Sequence, residues 1–125
     1  MKNCDTLRNK IFQYVKDKYG TNPEYLWAKF PEYAVLRNPN NSKWYAIIMD
    51  VKKRSLRLSG EEYVDVIDVK CDPITIGSLL GSKGYLPAYH MNKDNWITML
   101  LDGSIPENEI FNLIDLSYDM TQKKK

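Results

Sequence analysis

Residues 43–51, KWYAIIMDV, limit what this chain can fold into more than any other stretch. Side chains alternate across a strand, and here both alternating sets are largely apolar. Trp44, Ala46 and Ile48 fall on one side; Tyr45, Ile47, Met49 and Val51 fall on the other. Such a strand must be covered on two sides, at least in part, and so belongs in the middle of a sheet. Asn38-Pro39-Asn40-Asn41-Ser42 ahead of it is a turn cluster, and residues 33–37 read as a neighbouring strand. Lys52-Lys53-Arg54 forms its exposed end. Leu56 and Leu58 alternate with Arg57 on an expected return strand, so residues 43–57 read as a hairpin.

The rest of the chain supplies helices and further strands. Leu7, Ile11 and Val15, with Phe12 and Tyr19, recur at helical spacing behind Asp5 or Thr6 as N-cap. Gly20 and then Asn22-Pro23 end that helix. Residues 24–29 hold Tyr25, Leu26 and Trp27 and read as a short strand interrupted by Phe30-Pro31. Residues 63–71 read as another strand, with a bulge expected where the apolar phase shifts between Val66 and Ile67. Asp72-Pro73 is an N-cap with proline at the first helical position, opening a short helix through Ile76, Leu79 and Leu80 to Gly81. Residues 85–91 are irregular or a short strand, and residues 96–101 a strand stopped by Asp102-Gly103. Ser104 and Glu107 have capping-box spacing before a last helix whose core face carries Ile110, Leu113, Ile114 and Tyr118. The order α-β-β-β-β-α-β-α predicts an α+β fold of two layers, an antiparallel sheet with helices packed on one face. No repeat, linker or second domain interrupts residues 1–125, which read as one domain with a frayed tail at Lys123, Lys124 and Lys125.

A chain of 125 residues with 43% hydrophobic and 12% aromatic content can build one packed core. No apolar run approaches the roughly 20 residues of a membrane-spanning helix. The start, Met1-Lys2-Asn3-Cys4-Asp5, lacks a signal-peptide core. Cys4 and Cys71 lie far apart without CxxC spacing, which suits a reducing compartment. A cytoplasmic protein is the expectation.

Net charge is only +2, but its distribution is uneven. Arg37, Lys43, Lys52, Lys53, Arg54 and Arg57 face the single acid Asp50 between residues 37 and 57. Residues 61–72 carry Glu61, Glu62, Asp65, Asp68 and Asp72 against Lys70, and residues 102–119 carry only acids. The basic hairpin has a direct physical route to an anionic partner: a projecting wing can follow a phosphate backbone and release counterions without reading bases. The alternative is a solvated hairpin whose charges blunt an edge strand.

His90 is the sole histidine. It has no partners at zinc-ligand spacing, and as a general base it would need an orienting carboxylate such as Asp94 or Asp102. Pairing with Cys4 or Cys71 has no local signature. The expectation is a partly buried, hydrogen-bonded histidine, with no catalytic residue, no metal and no cofactor. The glycines between Gly77 and Gly84 follow a helix instead of preceding one, so they do not form a phosphate loop. Tyr85, Tyr89, His90, Lys93 and Trp96 make a second candidate surface, for a peptide, a base or a small anion, unless these aromatics simply pack under a strand.

The order Tyr89-His90-Met91-Asn92-Lys93, Trp96, Asp102-Gly103-Ser104-Ile105-Pro106, then Ile110, Leu113-Ile114 and Ser117-Tyr118 resembles the C-terminal half of the MmcQ/YjbR family. Phe30-Pro31 and Trp44-Tyr45-Ala46 extend the resemblance, which covers residues 5–120. It implies a YjbR-like two-layer fold, likened to frataxin-type and secretion-chaperone-type folds. It also implies a small, non-enzymatic bacterial protein that binds double-stranded DNA, for which a double-winged mode of contact has been proposed. The expected contact residues here are Arg37, Lys43, Lys52, Lys53, Arg54 and Arg57. A chaperone-like interaction module is the alternative, followed by a small-ligand site at Tyr89, His90, Lys93 and Trp96.

Overall fold

The computed structural model describes residues 6–122. Cys4, the alternative cap Asp5 and the tail Lys123–Lys125 lie outside the described residues. Three helices, α1 (Leu7–Tyr19), α2 (Pro73–Leu79) and α3 (Glu107–Gln122), accompany five strands. The strands are β1 (Ala34–Arg37), β2 (Trp44–Lys52), β3 (Tyr63–Lys70), β4 (Tyr85–Pro87) and β5 (Trp96–Leu100). They form one antiparallel sheet in the order β1-β2-β3-β5-β4. The α+β class and the placement of the three helices are as the sequence predicts.

Local chemistry sets the helix ends. Thr6 caps α1 by accepting from the Asn9 amide, and Gly20 closes it in the left-handed region at φ 72°. Asp72 accepts from the Thr75 amide to cap α2, with Pro73 in the first turn. At α3 the expected capping box is absent: the Ser104 hydroxyl and amide both donate to Asp102 Oδ1. The Pro106 carbonyl takes the first bonds of that helix, from Glu109 and Ile110. The nearer acceptor, two residues back in a tight turn, captures the serine before the helix can.

The strand expectations need correction in several places. Residues 24–29 are not a strand; a single bridge, Glu24 to Val35, is their only sheet-like contact. Leu56 and Leu58 form no return strand either. Residues Lys53–Leu56 make a 3-10 turn, and β2 pairs instead with β3, seven residues in continuous register from Ala46↔Val69 to Lys52↔Tyr63, apart from its overlap with β1. Three strands therefore precede α2 and two follow it, because the 85–91 segment contributes β4. β3 has no bulge at Val66 and Ile67. The register shift lies between Leu36 and Arg37, opposite Ala46 and Trp44, which leaves Tyr45 as the extra residue. That bulge turns Tyr45 to the same side as Ala46 and Ile48.

Each face of the sheet carries its own core. On one, Leu36, Tyr45, Ile48, Ile67, Ile97 and Met99 pack against Ile11 and Val15 of α1, Ile76 of α2, and Ile110, Leu113, Ile114 and Tyr118 of α3. Ser117 ties α3 to the sheet by donating to the Tyr45 carbonyl and accepting from the Lys70 amide. On the other face, Val35, Ile47, Met49, Val51, Val66 and Leu100 are covered without a helix. Tyr33, Leu56, Leu58, Tyr89 and Met91, from three irregular segments, do that work. Arg8 braces the arrangement, donating from Nε and Nη2 to the Asp65 carboxylate on β3 and from Nη1 to the Glu32 carbonyl.

Candidate functional site

The loop-covered face of the sheet has a recess where residues 27–33 and 89–91 meet over β2. Trp27, Phe30, Tyr33, Trp44, Tyr89, His90 and Met91 line a pocket of about 290 Å3 floored by Ile47 and Met49. Trp27 meets Tyr33 and Trp44 edge to face, with ring centroids 6.1 and 6.0 Å apart. Phe30 stacks on Tyr33 at 4.7 Å. Such mutually perpendicular and stacked rings are favourable arrangements of aromatic quadrupoles. Trp27 and Phe30 are nevertheless 36% and 47% exposed, and the adjacent Tyr25 and Leu26 are open to solvent.

A second pocket of about 390 Å3 adjoins the first and shares Phe30, Tyr33 and Tyr89 with it. Lys29, Lys52, Asp50, Ser55 and Tyr63 supply its polar wall. Together the two make a groove along β2, apolar beside Trp44, Ile47 and Met49 and lysine-bearing toward Lys52 and the 3-10 turn. Burial, then the neighbouring Tyr89 and the Asp50 carboxylate, raises the Tyr33 phenol above its ordinary value, so it stays a neutral donor in the groove.

Beneath the 88–91 loop lies an unusual carboxylate. Asp68 of β3 sits beside Ile47 and Thr98 in the ladder and is completely buried. Its Oδ1 accepts from the Thr98 hydroxyl, whose oxygen in turn accepts from the Tyr89 amide. Oδ2 has no partner among the described residues. Burial pushes this carboxyl up to about 7, against the opposing pull of the Thr98 bond and the Lys93 ammonium. A buried acid thus holds the backbone that presents Tyr89 and His90.

The predicted site residues fare unevenly. Of the second candidate surface, Tyr89 and His90 enter the aromatic pocket, their rings 4.0 Å apart. His90 is exposed and left-handed at φ 66°, with no ring hydrogen bond among the described residues, so the expectation of a buried, bonded histidine is overturned. Neither Asp94 nor Asp102 orients it. Tyr85 faces the helical layer and donates to Glu109. Trp96 is buried under the Lys70 ammonium, and Lys93 donates to the Ala88 carbonyl. Sequence reasoning missed Trp27, Phe30, Tyr33 and Trp44 as site residues; the aromatic density around Phe30-Pro31 was the available signal.

The basic residues are brought only partly together. The hairpin expected to carry them does not form, and three of them are neutralised. Arg37 pairs with Glu24 at 3.1 Å, Lys53 with Glu62 at 3.3 Å, and Arg54 with Glu61 at 3.6 Å. Glu62 lies lower than an ordinary glutamate, held down by a backbone hydrogen bond and by Lys53. The β2–β3 pairing brings about the last two pairs, because it sets Glu61 and Glu62, just before β3, beside Lys53 and Arg54, just after β2; the Glu24–Val35 bridge places Glu24 near Arg37. Lys43, Lys52 and Arg57 have no ion-pair partner among the described residues, and Lys52 lies over the Tyr63 ring at 6.0 Å. No helix of the described residues is long and apolar enough to cross a membrane.

Comparison with known proteins agrees with this architecture. A Bacillus subtilis protein, the uncharacterized YyaQ, is 44% identical over 115 residues, covering 92% of this chain and 98% of its own. The uncharacterized YjbR of Escherichia coli matches over 32 residues at 50% identity, 26% of this chain and 27% of its own. A crystal structure of a Pseudomonas syringae protein superposes with a TM-score of 0.88 at 46% identity, over 91% of this chain and 97% of that one. A family model described as YjbR matches residues 16–120, and the chain belongs to the YjbR family.

Proposed function

We propose that this protein is a non-enzymatic, cytoplasmic DNA-binding protein whose contact surface is the helix-free face of the sheet. The observation that carries the reading is the junction of an aromatic pocket with a lysine-bearing one through Phe30, Tyr33 and Tyr89. Phosphate neutralisation and aromatic contact are the two terms by which proteins hold nucleic acid without reading its sequence. This reading keeps Lys43, Lys52 and Arg57 of the expected wing, adds Lys29, and drops the acid-paired Arg37, Lys53 and Arg54. His90 without an orienting carboxylate supports a binding role over a catalytic one.

The test is anisotropy of fluorescein-labelled DNA titrated with the protein across a salt series. If about three phosphates are neutralised, log K falls against log salt with a slope near −2.7. Lys29→Glu with Lys52→Glu flattens that slope, whereas Lys53→Glu with Arg54→Glu changes it less, since those charges are already met by Glu62 and Glu61. Absence of binding at low salt refutes the reading. Exposed Tyr25, Leu26 and Phe30 favour a second reading, a protein-interaction module, whose affinity would be insensitive to both charge reversals.

A further inference from the structure

We infer that the aromatic pocket takes an unpaired nucleobase, so that the DNA this protein prefers is single-stranded or locally opened; the inference rests on the DNA-binding reading above. The pocket is a recess of about 290 Å3 with an apolar floor at Ile47 and Met49 and aromatic walls at Trp27, Trp44 and Tyr33. A paired base cannot use it. In a duplex the flat faces are already stacked on their neighbours, and only the edges reach a protein. A ring that enters among aromatic walls must first leave the stack.

Charge placement selects a nucleotide over an aromatic side chain of a peptide. The adjoining pocket sets Lys29 and Lys52 beside the ring site, and one nucleotide carries a flat ring and an anion within the same unit. Asp50 is the one acid in that wall and opposes a phosphate there. Trp27, which lines the pocket and is 36% exposed, offers ring surface on which a base can stack. Trp96, the third tryptophan, is buried outside this pocket.

The experiment compares a labelled oligothymidylate of about twelve nucleotides, long enough to span such a groove, with the corresponding duplex, by anisotropy and by tryptophan quenching at one low salt concentration. The single strand is expected to bind more tightly and to quench tryptophan emission. Trp27→Ala, at an exposed position and checked for an unchanged melting temperature, is expected to weaken the single strand about ten-fold and the duplex by clearly less. Asp50→Asn is expected to tighten the single strand. Equal affinity for both forms, with Trp27→Ala silent, overturns the unpaired-base inference while the DNA reading stands. Binding of neither form overturns both.

Discussion

Asp68→Asn is the most direct probe of the helix-free face. The carboxyl is fully buried, one oxygen lacks a partner, and burial raises it from 3.8 to about 7. In the unfolded chain it loses its proton near its ordinary value, while in the folded protein it keeps it until near neutrality. Between those two pH values the folded state binds more protons than the unfolded one. Stability from this group is therefore complete below about pH 4 and declines as pH rises through about 7. A shift of about three units at 1.36 kcal/mol each amounts to roughly 4 kcal/mol lost across that window. Asparagine removes the ionisation and keeps an oxygen for the Thr98 hydroxyl, but its amide meets the site where Oδ2 has no partner. An unsatisfied buried donor costs about 1–3 kcal/mol. The variant is expected to be more stable than the parent by about 1–3 kcal/mol at pH 8, with the gain shrinking and reversing toward pH 4. Urea denaturation of both proteins at several pH values measures the difference, and taking the difference cancels every other carboxylate. Parallel curves for parent and variant, separated by a constant, would refute the argument that burial holds the proton on Asp68 until near neutrality.

Other perturbations test the rest of the frame. Ile114→Ala, at a fully buried position of α3, is expected to cost about 2–5 kcal/mol in chemical denaturation; a loss under 1 kcal/mol would contradict its place in the helical core. Gly84 has φ 92°, and a Cβ there would stand 2.5 Å from Ile105, so Gly84→Ala is expected to destabilise by roughly 1–3 kcal/mol, read as a lower melting temperature. Burial pushes the Asp115 carboxyl up, but the hydroxyls of Tyr19 and Tyr14 and the Lys18 ammonium outweigh it and hold it below the ordinary range. Its contribution is therefore present above the unfolded value and lost as pH falls through the depressed folded one. Tyr19→Phe should weaken the α1–α3 junction by about 1 kcal/mol at neutral pH and by less in acid, where Asp115 is protonated; equal losses at both would tell against the bond.

The sequence by itself determined the features whose causes lie within a few residues. Thr6, Gly20 and the Asp72-Pro73 pair bound their helices because a cap acts on amides or carbonyls one turn away. The spacing of Ile110, Leu113 and Ile114 selected the buried face of α3, and the two apolar sides of β2 required cover on both. Family membership was legible in the same way, from short ordered blocks. Only the tertiary structure decided which strand β2 would meet. Hydrogen bonding to Tyr63–Lys70, and not to Leu56 and Leu58, turned a basic hairpin into a set of ion pairs with Glu61 and Glu62. The same pairing took Asp68 from the acidic 61–72 stretch and put it between Ile47 and Thr98. Residues 24–29 illustrate the limit from the other side: Tyr25, Leu26 and Trp27 have strand-forming side chains, yet no free sheet edge meets more than Glu24. Local preference states what a segment can become, whereas partner, burial and charge depend on residues distant in the chain, and here those distant contacts made the groove.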